Sequence, residues 1–214
     1  MNDSDLNLSS HVDALRETGA MFWKRGWSLG TSSNYSVVLH RSPLELLITA
    51  SGKDKGRLES GDFVRVDEGG QPKFAGQPKS SAETLLHAVV AQERDVGAIL
   101  HTHSVWGTVL SDAYFAERGF EIAGFEMLKG LAGITTHDTG IWVEIFDNTQ
   151  DIPALAKQVR ARLRDAERPL QHGYLIRRHG LYTWGRDLAE ARRQVEIFEF
   201  LFECVGRMRA GRWG

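Results

Sequence analysis

The chain contains a single cysteine, Cys204, among its 214 residues. One cysteine cannot form an internal disulfide, and this favours a reducing compartment. No apolar run is as long as a membrane span, and residues 1–10 are polar and acidic, without the apolar core of a signal peptide. We therefore expect a soluble, cytoplasmic protein.

An excess of charge of one sign is also missing. The 26 basic and 28 acidic side chains leave a formal net charge of −2, so no overall field attracts nucleic acid or an anionic membrane. The sequence lacks the lysine-containing phosphate loop of nucleotide-binding proteins and has no G-x-G-x-x-G after a strand. A small phosphorylated metabolite is therefore the expected partner, with neither nucleic acid nor membrane.

Repeats, low-complexity stretches and long Pro/Gly/Ser linkers do not interrupt the chain. With 42% hydrophobic residues, residues 1–214 are expected to form one domain. Strand patterns occur both in hairpins and as single runs between helices, which predicts an α/β fold with a mixed, mostly antiparallel sheet covered by helices. Helices are predicted from Ser9 or Ser10 to about Gly26, at about 82–93 and 105–115, after Asp151, and after Asp187. Strands are predicted at 35–39, 45–50, 62–66, 141–146, 174–178 and 181–184, and at an apolar run, 96–100.

Two histidines close that apolar run. His101 and His103 stand two residues apart, so on a strand both rings point to the same side. Two neutral imidazole nitrogens on one face can hold one borderline-soft cation. His179 ends a second strand-like run, before Gly180, where a sharp turn is expected, and is the candidate third ligand. Three histidines that leave one coordination position open are typical of a catalytic metal. The alternative is that the three are polar groups satisfied at a sheet edge.

Three short segments are rich in small polar residues, and the first two also contain glycine: 30–34, 51–56 and 79–81. Their backbone N–H groups and hydroxyls can bind an anion, and Ser80 and Ser81 lie at a predicted helix start, where the helix dipole favours negative charge. Each segment taken alone is better explained as a turn. Their joint occurrence with a metal site makes a phosphate group on the substrate as good an explanation as turns alone.

Two glutamates are candidates for acid–base work. Glu83 lies three residues after Ser80, a spacing that also fits a reciprocal helix cap. Glu126 stands between a phenylalanine and a methionine, where loss of water would raise its pKa and make it a better base. The alternative for Glu126 is an ordinary glutamate in the first turn of a helix.

These segments resemble the class II aldolase family of zinc-dependent sugar-phosphate lyases. The resemblance rests on His101-Thr102-His103-Ser104, on His179-Gly180, on residues 30–34 and on Ser51-Gly52. More narrowly, residues 125–130, 145–148, 173–177 and 198–204 are similar to a dehydratase branch of that family that works in methionine salvage. The likeness extends from about residue 14 to residue 204.

The resemblance implies a three-layer α/β/α fold around a mixed sheet, and a homotetramer. It implies one Zn²⁺ per subunit on His101, His103 and His179, with Glu126 as the catalytic acid/base. Glu83 is then either a fourth metal ligand in the resting state or only a helix cap. The residues implied for phosphate binding are Asn34, Ser51, Gly52 and Ser81.

The implied reaction is loss of water from a 2-keto sugar phosphate with hydroxyls at C3 and C4. A retro-aldol lyase or 4-epimerase of the same fold is the nearest alternative and differs in the bond that is broken. A non-catalytic scaffold with the same fold is a second alternative, and retention of all three histidines argues against it.

Overall fold

The computed structural model describes residues 3–211, and an eight-stranded sheet forms the centre of this part of the chain. The strands in chain order are β1 (Asn34–Arg41), β2 (Leu44–Thr49), β3 (Phe63–Val66), β4 (Ala98–Thr102), β5 (Gly119–Ala123), β6 (Gly140–Phe146), β7 (Gly173–Ile176) and β8 (Gly180–Gly185). The α-helices are α1 (Asp3–Lys24), α2 (Thr84–Glu93), α3 (Val105–Ala113), α4 (Ile152–Leu163) and α5 (Leu188–Ala210). None of these helices is long and apolar enough to cross a membrane.

The sheet is mixed, with the strand order β3-β2-β1-β4-β8-β7-β6-β5. Every neighbouring pair is antiparallel except β6 and β7, which run parallel. The expected mixed, mostly antiparallel sheet is confirmed. Within the sheet β4 and β8 are neighbours, with His101 directly opposite Tyr182, so residues far apart in sequence meet at the centre of the fold.

Helices cover both faces of the sheet. On one face, α2 and α4 pack on Ile99, Tyr174 and Tyr182 in a shared apolar cluster. On the other, α1, α3 and α5 pack on alternate strand residues such as Leu100 and Leu175. Side chains alternate between faces along a strand, so His101 lies on the α2/α4 side. The three-layer α/β/α architecture is confirmed.

Two helices begin where a side-chain cap was predicted. The Asp151 carboxylate accepts a hydrogen bond from the Ala154 N–H (3.0 Å), and the Asp187 carboxylate accepts one from the Glu190 N–H (2.8 Å). Each satisfies a backbone donor that the first turn of a helix leaves without a partner. The first helix differs from its prediction, because it begins at Asp3 rather than at Ser9 or Ser10.

Candidate metal centre

The strand β4 brings two of the three histidines together. His101 is fully buried, and its Nε2 lies 2.8 Å from His103 Nε2. The ring Nδ1 of His101 is 2.9 Å from the Leu181 carbonyl oxygen. A carbonyl can only accept, so Nδ1 carries the proton and Nε2 presents a lone pair to the cluster. The expectation that both rings share one side of the strand is confirmed.

His179 completes the cluster from the turn between β7 and β8. One coordinating nitrogen from each of His101, His103 and His179 lies within 4.8 Å of the other two. The turn is fixed to the end of α3, where Asp112 binds the side chains of Arg177 (2.8 Å) and Arg178 (2.9 Å). The turn therefore holds His179 against His101 on β4 and against His103, which directly follows that strand.

Gly180 has a different role from the one expected of it. The positive backbone angle of this turn belongs to Arg178, with φ of 51°. A side-chain Cβ at Gly180 would lie 2.0 Å from the Thr102 carbonyl oxygen. Glycine is therefore needed here because β8 approaches β4 closely, beside the histidines.

Burial keeps the histidines neutral. It lowers the pKa of His101 well below the usual range, and the neighbouring His103 and His179 lower it further. Burial likewise lowers the pKa of His103 to about 4. Burial lowers the pKa of His179, while the nearby Glu83 carboxylate opposes that shift. Neutral imidazoles are the form that binds a metal ion.

Glu83 faces the histidines rather than capping a helix. Its carboxylate lies 3.3 Å from His179 Nε2 and 3.8 Å from His101 Nε2. The helix α2 begins only at Thr84, and the Glu83 side chain makes no capping hydrogen bond. Of the two alternatives left open for Glu83, the reciprocal cap with Ser80 is therefore wrong, since Glu83 stands before the helix and not in its first turn.

The predicted phosphate residues line the cavity beside the histidines. This cavity of about 310 Å³ is bounded by Asn34, Ser51, Gly52, Ser81 and Glu83, and by His103 and His179. Gly52 adopts a positive φ of 72°, a conformation that suits glycine. Three further polar residues line the same cavity and were not predicted: Asn148, Thr149 and Gln150. They lie between the end of β6 and the start of α4, and the only sequence signal that they form a loop was their position just before Asp151.

Glu126 lies away from this cavity within one chain. It begins a short 3-10 helix, Glu126–Gly130, whose Leu128 packs in the cluster on the α3/α5 side of the sheet. The Glu126 side chain is 68% exposed and pairs with Lys129 and with His137. The Lys129 ammonium holds the pKa of the Glu126 carboxyl below its usual range. The expectation of a desolvated carboxyl with a raised pKa is wrong for the isolated chain.

Two further residues of the site escaped the sequence reasoning. Tyr182 stacks on the His101 ring with a centroid distance of 4.0 Å. His87 lies one helical turn after Glu83, and its ring contacts both Tyr182 and Asn34. The four-residue spacing from Glu83 was the available signal, because such residues share one face of a helix.

Comparison with known proteins places the chain among relatives of similar length. The family model for the class II aldolase and adducin N-terminal domain matches residues 13–205. The methylthioribulose-1-phosphate dehydratase of Marinobacter nauticus is 50% identical over 194 residues, which cover 90% of this chain and 91% of that protein. The enzyme of the same name from Azotobacter vinelandii is 50% identical over 91% of this chain and 92% of its own length. The crystal structure of L-fuculose-1-phosphate aldolase from Thermus thermophilus has the same fold, with a TM-score of 0.75 and 22% identity over 97% of this chain and 99% of that one.

Proposed function

The chain belongs to the class II aldolase and adducin N-terminal domain family, and we propose that it is a methylthioribulose-1-phosphate dehydratase of methionine salvage. The observation that carries the proposal is the 50% identity to a curated dehydratase of that name over nine-tenths of both chains. The enzyme is a hydro-lyase. It converts 5-methylthioribulose 1-phosphate into 2,3-diketo-5-methylthiopentyl 1-phosphate and water.

The donor set fits a zinc ion on His101, His103 and His179. Three neutral imidazoles on preformed strand ends suit a borderline-soft cation and leave a position open for substrate. The His101 ring is oriented for this by its Nδ1–H bond to the Leu181 carbonyl, the outer support that metal-binding histidines usually have. A bound zinc ion supplies Lewis acidity toward the substrate's carbonyl oxygen.

Glu83 is assigned as a fourth ligand in the resting state. Its carboxylate is the acidic group beside His101 and His179, and a carboxylate oxygen is an accepted zinc ligand. Its negative charge offsets part of the charge of the cation.

The cavity beside the centre is assigned to the substrate's phosphate. Hydroxyls of Ser51 and Ser81, the backbone at Gly52 and the amide of Asn34 line this cavity. Ser81 and Glu83 stand just before α2, so the positive end of that helix dipole faces the cavity wall. The phosphate end of the ketose would be held there with its C2 and C3 oxygens toward the histidines.

Glu126 is assigned as the acid/base that completes the reaction. The carboxylate takes the proton from C3 and, as a carboxylic acid, returns it to the C4 hydroxyl, which leaves as water. The resulting enol takes a proton at C4 and becomes the diketone. Glu126 does not line the cavity beside the histidines of its own chain, and the neighbouring Leu128 packs on the α3/α5 side of the sheet. We therefore assign this role to the carboxylate of a second copy in a homo-oligomer, for which we propose a tetramer.

The test is conversion of the substrate by purified protein supplied with Zn²⁺. Diketone should form in an amount equal to the ketose consumed, without aldehyde, as measured by diketone absorbance and an aldehyde assay. In D₂O the earliest product should carry deuterium at C4, because solvent protonates the enol. An aldehyde as the main product, or no diketone, would contradict the proposal.

His103→Ala is the control for that assay. It should remain folded, because the ligands stand on strands that form without the metal, yet lose zinc and turnover together. Retention of full zinc content and activity would show that the ligand assignment is wrong.

A further inference from the structure

A line of hydrogen bonds leads from Glu83 into the core. The Asn34 Nδ2 group donates to the Glu83 carboxylate (3.0 Å), while Asn34 Oδ1 contacts His87 Nε2. His87 Nδ1 in turn lies 2.8 Å from the Ser36 hydroxyl. The line thus connects Ser36, His87, Asn34 and Glu83, on strand β1 and at the start of α2.

The direction of each bond follows from chemistry. An ionised carboxylate only accepts, so Asn34 must present its NH₂ group to Glu83 and keep its carbonyl for His87. That carbonyl accepts, so His87 carries its proton on Nε2 and its Nδ1 accepts from the Ser36 hydroxyl. A single assignment of amide orientation and tautomer therefore satisfies the whole line.

The line is buried at its far end and exposed only at Glu83. Ser36 and His87 are fully buried, and Asn34 is 4% exposed. Burial lowers the pKa of His87 to about 3, so the ring is neutral at physiological pH. An apolar side chain would fill this space without the desolvation cost of an imidazole, so the retained polar ring indicates a role for its N–H.

We propose that His87 is a positioning residue of the metal centre, which fixes the Asn34 amide so that this amide holds the Glu83 carboxylate against His101 and His179. The inference rests on the proposed function, in which Glu83 is a zinc ligand. Outer hydrogen-bond partners of metal ligands typically change metal affinity 10- to 100-fold. We expect His87 to change zinc affinity by a similar factor, through its hydrogen bond to Asn34 and the hydrogen bond from Asn34 to Glu83.

The test measures zinc affinity by competition with a chromophoric chelator. His87→Phe keeps an aromatic ring beside Tyr182 but removes both nitrogens, and should weaken zinc binding about tenfold or more. His87→Gln keeps an N–H donor for Asn34 and should recover most of the affinity. His172→Phe is the matched control, since it replaces another largely buried histidine that lies outside this cavity, and should bind zinc as the wild type does.

A double-mutant cycle separates positioning from general damage. If His87 acts through Glu83, the double variant Glu83→Gln/His87→Phe should bind zinc no more weakly than Glu83→Gln alone. Three results would overturn the proposal. The losses of zinc affinity in the two single variants could add in the double variant, His87→Phe could bind zinc as tightly as the wild type, or His87→Phe and His87→Gln could lose the same affinity. Wild-type protein that binds zinc but does not dehydrate the substrate would refute the proposed function and leave this result standing.

Discussion

At the scale of the residue, a buried carboxyl group lies against strand β4 on the face opposite His101. Glu199 on α5 is 3% exposed, and the Thr102 hydroxyl donates to its Oε1 at 3.5 Å. Its Oε2 is buried without a hydrogen-bond partner. Burial raises the pKa of this carboxyl from 4.5 to about 7, so the folded protein favours the protonated form.

A raised pKa makes stability depend on pH in a defined direction. The contribution of Glu199 is fully present below pH 4.5, where the unfolded chain is protonated too, and is lost as the pH rises through about 7. A shift of this size corresponds to a free energy on the order of 3 kcal/mol. Above pH 7 the ionised carboxylate is buried at a cost to the folded state.

Replacement of Glu199 by glutamine should therefore stabilise the protein only at higher pH. The neutral amide resembles the protonated acid, so Glu199→Gln should unfold in denaturant like the wild type at pH 4 and require more denaturant at pH 8. Glu203→Gln, on the same helix and 45% exposed, should change the free energy of unfolding by less than about 0.5 kcal/mol at either pH. A Glu199→Gln protein less stable than the wild type at pH 8 would refute the account.

Some residues of the candidate site could be predicted from the sequence alone, and others could not. The spacing of His101 and His103 was sufficient for a shared face, because strand geometry has a fixed period. His87 could not be assigned, because its role depends on the side chain of Asn34, 53 residues away. The sequence also left open whether Glu83 is a helix cap or a metal ligand. The cap was excluded only by the structure, in which α2 begins at Thr84 and Glu83 makes no capping hydrogen bond.

At the scale of the element, the close contact between β4 and β8 sets the geometry of the histidine cluster that could hold a metal ion. Gly180 begins β8, directly after His179, and faces the Thr102 carbonyl. Any side chain at this position must push the two strands apart. The distance between His179 and His101 would then change with the strands.

Gly180→Ala should therefore lower both stability and zinc affinity. Overpacking of this kind costs about 1–3 kcal/mol, which denaturant unfolding would measure, and displacement of His179 should weaken zinc binding in the chelator assay. Gly61→Ala is the matched control, because a Cβ there meets no atom within 4 Å. If Gly180→Ala keeps the stability and the zinc affinity of the wild type, the close contact between β4 and β8 is not needed for either, and the prediction is wrong.

Most elements were predictable from local pattern, and the exceptions have physical reasons. The helices α2 to α5 have periodic apolar residues, and α4 and α5 also have side-chain caps, so their positions were close to those observed. Strand β5 was not predicted, because five residues of alternating character at a sheet edge give a weak signal. The parallel pairing of β6 with β7 depends on the path of α4 between them, which no local pattern specifies.

At the scale of the whole molecule, the two groups assigned to the reaction belong to different layers of the fold. The histidines face the layer of α2 and α4, whereas the segment of Glu126 packs on the layer of α3 and α5. Glu126 is not among the residues that line the cavity beside His103 and His179 in the described part of the chain. A homo-oligomer with closed symmetry can bring Glu126 of one copy to the histidines of another, because each copy then offers one surface to its neighbour and receives another.

The most direct test of a dehydratase centre shared between copies combines two inactive variants. His101→Ala should lack zinc, and Glu126→Gln should bind zinc but turn over at least about 10²-fold more slowly. When the two are co-expressed with different tags and purified through both, about a quarter of the sites should pair an intact histidine cluster with an intact Glu126. Diketone formation from methylthioribulose 1-phosphate should then recover to about that fraction of the wild-type rate, whereas hybrids as inactive as their parents, or a fully active Glu126→Gln protein, would contradict the account.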